Sequence, residues 1–130
     1  MIKVLIIVPR FGTIHRGLET YVKEFISNID TNKFDITVLS AHHNEKFENI
    51  KFKKYHILNR EKFDWIFKCK VFRKLLSYFN IYGSSDFEAL SLMYKSTSFL
   101  KENEFDLILP FGGFWSFYCL NKIINKEKTK

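Results

Sequence analysis

The chain opens Ile2-Lys3-Val4-Leu5-Ile6-Ile7-Val8-Pro9 and continues Arg10-Phe11-Gly12-Thr13-Ile14-His15-Arg16-Gly17. These two stretches set the architecture of the chain. A near-continuous apolar run ended by proline predicts a strand buried on both faces, the signature of a parallel strand covered by helices above and below. The polar, glycine-bearing loop leads into a helical pattern, Leu18 to Ile29, with Leu18, Val22, Phe25, Ile26 and Ile29 on one face. Strand, loop and helix together form the opening of a βαβ unit. Ligands of such sheets lie beyond the carboxyl ends of the strands, and a helix N-terminus there favours anions. Any site is therefore expected at this loop.

Outward from this unit, Phe34 to Ser40 alternates and is rich in β-branched residues, which predicts a second strand. Ile50 to Leu58 gives a weaker, lysine-rich third strand suited to a sheet edge. Phe63 to Phe79 predicts an amphipathic helix with Lys70, Arg73, Lys74 and Ser77 on one side and an unusually wide apolar arc on the other. Ser84 or Ser85 is suited to cap a further helix from Asp86 to Lys101. Phe105 to Leu109 reads as a short, fully buried strand stopped by Pro110, and Phe111-Gly112-Gly113-Phe114 turns the chain into a last helix, Trp115 to Asn125. The expected fold is α/β, a doubly wound parallel sheet which right-handed crossovers arrange in the order 3-2-1-4. No stretch of the chain is left to pair with the outer edge of the fourth strand. Either a helix covers that edge or another polypeptide segment supplies the neighbour, and the second is the expectation.

Composition narrows the class. The 130 residues suit one domain, and no apolar run approaches the ~20 residues that span a bilayer. The opening apolar run is short and lacks a basic flank, so no signal peptide is expected and a cytoplasmic location is. Cys69 and Cys119 sit within apolar helical patterns, which predicts two buried thiols in a reducing compartment. His42, His43 and His56 have no ligand spacing with a carboxylate or cysteine, so no metal site is expected. No phosphate-loop, nucleophile-elbow or zinc-protease motif is present, and no cofactor is expected. The formal net charge of +7 suits nucleic acid, an anionic membrane or a phosphate-bearing substrate. The lysines and arginines are dispersed and carry no RNA-binding or helix-turn-helix signature, which argues against nucleic acid.

Met1 to Arg10, then Arg16-Gly17-Leu18-Glu19-Thr20-Tyr21-Val22, Phe34 to Leu39 and Phe105-Asp106-Leu107-Ile108-Leu109-Pro110-Phe111-Gly112-Gly113 resemble the N-terminal domain of the family-four glycosyltransferases of GT-B architecture. The resemblance covers residues 1–130 but only the first half or so of one of that family's two Rossmann-like domains. It implies an incomplete N-terminal, acceptor-side half-domain with the C-terminal, donor-binding domain absent. Full-length members transfer a sugar from a nucleotide-sugar donor to an acceptor held between the domains. The implied function is thus the acceptor-side portion of a glycosyltransferase acting on a glycan or lipid-linked acceptor. It would be inactive alone and meet a nucleotide-sugar donor only with a donor domain or donor-domain subunit. The chain departs from the family pattern where Arg16-Gly17 replaces a glycine pair and where Leu109 and Phe111 occupy the places of a His-x-His element. No residue inherits a catalytic role. The alternatives are a non-catalytic, flavodoxin-like binding module and a subunit of a split glycosyltransferase.

Candidate substrate-binding residues are Arg10, Thr13, His15, Arg16 and Gly17 of the first loop, together with Glu19, Gly112 and Gly113. Arginine suits bidentate phosphate contacts, although each loop charge is equally readable as solvated. Gly17 either admits a ligand to the backbone or makes a tight turn. Glu19 either accepts from an acceptor hydroxyl or complements its helix dipole. In the Phe63–Phe79 helix, Trp65, Lys70, Arg73 and Lys74 suit peripheral contact with the inner face of a membrane, against the plainer reading of a helix packed on the sheet.

Overall fold

A computed structural model describes residues 1–11, 17–41, 47–58, 60–111 and 113–128. Four parallel strands form one sheet in the order β3-β2-β1-β4. They are β1 (Ile2–Ile7), β2 (Phe34–Ser40), β3 (Ile50–Lys54) and β4 (Leu107–Pro110). Among the described residues there are six α-helices: α1 (Gly17–Asn28), α2 (Asp64–Lys68), α3 (Lys70–Tyr78), α4 (Ser84–Lys95), α5 (Thr97–Glu102) and α6 (Phe114–Lys128), of which α1 packs on one face of the sheet and α4, α5 and α6 on the other. This is the doubly wound, Rossmann-like α/β layer that the sequence predicts.

The apolar run of β1 feeds both layers. Val4, Ile6 and Val8 pack with Val22 and Ile26 of α1. Leu5 and Ile7 face the other way, onto Leu92 and Met93 of α4, Leu100 of α5 and Leu120 of α6. The alternation of side chains along a strand sends successive residues to opposite faces, so a strand with helices on both sides has no polar face to show. Phe11, just beyond β1, is also buried, its ring 5.9 Å from those of Phe47 and Phe52.

Several boundaries differ from the sequence reading. β3 stops at Lys54: the Tyr55 N–H makes the last bond to β2, donating to the Ser40 carbonyl, and beyond it Leu58 N–H donates to Ser91 Oγ of α4. The Phe63–Phe79 helix is two helices, broken at Cys69, whose ψ of 117° is extended. The break lets Phe63 and Phe67 meet Phe87 of α4 at 5.5 and 5.7 Å while α3 turns away from the body. The Asp86–Lys101 helix is likewise two, meeting at Ser96. Its cap is Gly83 and not Ser84 or Ser85, with Asp86 Oδ2 accepting from the N–H groups of Tyr82 and Gly83. Cys69 and Cys119 are free but only half-buried.

The fourth strand is not fully buried. It begins at Leu107, which is 45% exposed, and pairs with β1 on one side only. Its inner side is firmly registered: Lys3 and Asp106 exchange backbone and side-chain hydrogen bonds, and Phe111 N–H donates to the Ile7 carbonyl at 2.8 Å. The outer side lies beside a shallow apolar groove of about 560 Å³ lined by Ile108, Pro110, Phe114, Phe117 and Tyr118. Among the described residues no strand pairs there.

Candidate functional site

Chain order and sheet order together fix where a site belongs. From β1 the chain winds outward to β2 and β3, then crosses over to β4 on the opposite side of β1. The reversal leaves a crevice between β1 and β4 at their carboxyl ends, the switch point at which open α/β sheets bind ligands. One wall is the N-terminus of α1, the other the turn from β4 into α6. The Tyr21 and Phe111 rings, 6.3 Å apart, join the two walls.

Arg10, in the loop after β1, corrects an expectation. It is not a solvated loop arginine reaching for phosphate but a buried one, 8% exposed. Its Nε donates to both carboxylate oxygens of Glu88, at 2.8 and 3.0 Å, and its Nη2 donates to Oε1 at 2.6 Å. Glu88 is itself 3% exposed, and the exposed carboxylate of Glu61 approaches Nη1 at 4.0 Å. Such a fork-on-carboxylate pair satisfies both charges in a place water does not reach. It fastens the loop after β1 to α4.

Gly17 is the first residue of α1, and a Cβ built on it would meet no atom of the described residues within 4 Å. Its backbone needs no glycine, so the tight-turn reading fails there, and among the described residues nothing fills the space in front of it. Gly113 differs, with a φ of +73° that L side chains rarely adopt. Glu19, in the first turn of α1, carries the least expected feature of the crevice: its Oε2 is buried and has no hydrogen-bond partner among the described residues. The hydroxyl of Ser116, in the first turn of α6, is buried and unpartnered in the same sense.

Thr13, His15, Arg16 and Gly112 lie outside the described residues. Of the remaining candidates, Gly17, Glu19 and Gly113 border the switch point and Arg10 braces it. Glu88 and Ser116 were missed by the sequence reading. Glu88 falls on the stripe of α4 shared by Ala89, Leu92 and Met93, all buried, and a carboxylate on such a stripe is the signal for a buried partner. Among the described residues no group of His, Cys, Asp and Glu could hold a metal ion.

Trp65, Lys70, Arg73 and Lys74 lie away from the crevice, on α2 and α3. A groove of about 610 Å³ lies at the amino ends of the strands, where Lys3, Lys51, Lys101 and Glu104 mix charges over Phe99 and Phe105. It is at the wrong edge of the sheet for the switch-point chemistry. Comparison with protein-family models, with curated protein sequences and with solved structures finds no match.

Proposed function

We propose that this chain is the acceptor-side portion of a GT-B glycosyltransferase, holding a glycan or lipid-linked acceptor while a separate donor-binding unit supplies the nucleotide-sugar. The observation that carries the reading is the unpartnered Oε2 of Glu19 beside the switch point. A buried carboxylate oxygen without a donor is costly, by about 1–3 kcal/mol or more, and a ligand hydroxyl is the partner it suits. The open space before Gly17 gives such a ligand access to the helix N-terminus. The unpaired outer edge of β4 suits a further parallel strand or a donor-domain subunit. No residue here is assigned a catalytic role, and in this reading transfer needs the donor-binding unit.

A second reading, a non-catalytic flavodoxin-like binding module, is favoured by one feature. The Arg10 guanidinium is engaged with a protein carboxylate where a phosphate-binding enzyme would leave it for the ligand.

Glycan-array capture by the purified chain, beside a transfer assay with labelled nucleotide-sugars, tests the first reading. The expected result is capture of a glycan, loss of that capture in Glu19→Gln, and no transfer by the chain alone. No capture, or capture unchanged in the variant, contradicts it.

A further inference from the structure

α3 is amphipathic in the wrong direction for a helix of a closed globule. At about 100° per residue, Val71, Phe72, Leu75, Tyr78 and Phe79 share one face and Lys70, Arg73, Lys74 and Ser77 the opposite one. An apolar stripe of this kind ordinarily faces a core, yet no residue of α3 is buried. Val71 is 75% exposed and Leu75 57%, and Trp65 of α2, edge-on to Phe72 at 6.5 Å, is 61% exposed.

The helix is nonetheless fixed at both ends. Phe63 and Phe67 anchor the α2 side on Phe87. At the other end Asn80, with φ of 57°, closes the helix: its N–H donates to the Ser77 carbonyl and that of Ile81 to the Leu76 carbonyl. This is the left-handed termination that Asn or Gly permits. The Trp115 indole N–H then holds the Asn80 carbonyl at 3.0 Å. A rigidly held, outward-facing apolar stripe of this kind marks an interaction surface.

Charge selects the partner. Lys68, Lys70, Arg73 and Lys74 crowd seven residues, in a chain of net charge +7. The nearby carboxylate of Asp64 accepts from Ser84 Oγ. An apolar stripe edged by Trp and Tyr, with basic side chains on the other side of the helix, matches an anionic bilayer surface, with the rings at the acyl boundary and the long cationic stems reaching back to the headgroups. We infer that α2 and α3 form a peripheral docking element for an anionic lipid surface. The inference stands on exposure and charge and is independent of any sugar chemistry. Among the described residues no helix is long and apolar enough to cross a membrane, so the contact lies in the plane of the interface.

Flotation of the full chain with vesicles of phosphatidylcholine, with and without phosphatidylglycerol, tests it. The expected result is binding only to the anionic vesicles, weakened by salt, with a blue shift of tryptophan emission that is absent in Trp65→Phe. Lys70→Glu with Lys74→Glu should weaken partitioning at least about tenfold, and Val71→Ser with Leu75→Ser should weaken it comparably. Because these side chains are exposed, their variants should keep the wild-type melting profile. No binding to anionic vesicles, equal binding to neutral ones, or indifference to salt and to both variant pairs overturns the inference. So does a blue-shifted Trp65 in the absence of lipid, which would mean a protein surface already covers the stripe.

Discussion

Arg10 and Glu88, 78 residues apart in sequence, are joined by a buried three-bond fork that ties the loop after β1 to the second turn of α4. Removing either partner takes away the charge-assisted bonds that hold the other inside the fold. Arg10→Ala or Glu88→Ala should each cost about 3–5 kcal/mol, whereas Arg10→Met with Glu88→Leu should be close to neutral. Denaturant unfolding of the two single variants and the double variant gives the coupling directly. Additive losses would mean that the pair does not act as a unit.

How far the sequence carries the fold follows from the same residues. β1 was legible because a strand covered on both faces is almost wholly apolar, here Val4 to Ile7 after an exposed Lys3 at its start, and the crossover rule then orders the sheet. The Arg10 pairing was not, because its partner arrives from a helix 78 residues away and no local pattern joins them. The breaks at Cys69 and Ser96 were invisible for a related reason: apolar spacing continues across both, and it is contact with Phe87 and the demands of packing on the sheet that turn the chain. Gly17 and Glu19 were readable as candidates from their place after β1. That Glu19 would be left with an unpartnered oxygen depends on burial, which spacing does not report.

The two crevice glycines should respond oppositely to alanine. Gly17→Ala adds a methyl group to open space at a helical residue and should stabilise the chain by about 0.5 kcal/mol. Gly113→Ala forces a side chain onto a φ of +73° and should cost about 1–2 kcal/mol. Thermal melts of the two variants beside wild type would show opposite shifts. Equal losses would contradict the assignment of Gly17 as conformationally free.

Alkaline pH should weaken the fold before acid chemistry is considered. Burial pushes the Cys119 thiol above its ordinary value of 9.0, with Lys122 opposing in part. Burial, and then the negative charge of Glu102, push the Tyr55 phenol above its ordinary 10.0. In both cases the folded chain holds its proton more tightly than the unfolded chain. Their contribution is fully present below the ordinary values and is lost as pH rises through the raised ones. Unfolding free energy should therefore fall from about pH 9 upward, and less steeply in Cys119→Ala. A stability flat across that range would contradict the burial of both groups.

The open side of β4 should govern solution behaviour. Leu107 and Phe117, both exposed, flank a strand edge that no strand pairs among the described residues, and such an edge is a template for another chain. Light scattering after size-exclusion should show concentration-dependent self-association of the wild-type chain. Leu107→Lys with Phe117→Lys should return it to a monomer. A wild-type monomer at every concentration would mean that the edge is already protected, and would favour the stand-alone module.

Acceptor binding at the switch point is the centre of the account, and amide chemical-shift mapping with a glycan retained on the array tests it most directly. The account predicts shifts confined to Gly17, Leu18 and Glu19 of α1 and to Gly113 and Phe114 at the start of α6, all absent in Glu19→Gln. Shifts at the amino-end groove around Lys3, Lys101 and Glu104, or shifts that survive in Glu19→Gln, would contradict it.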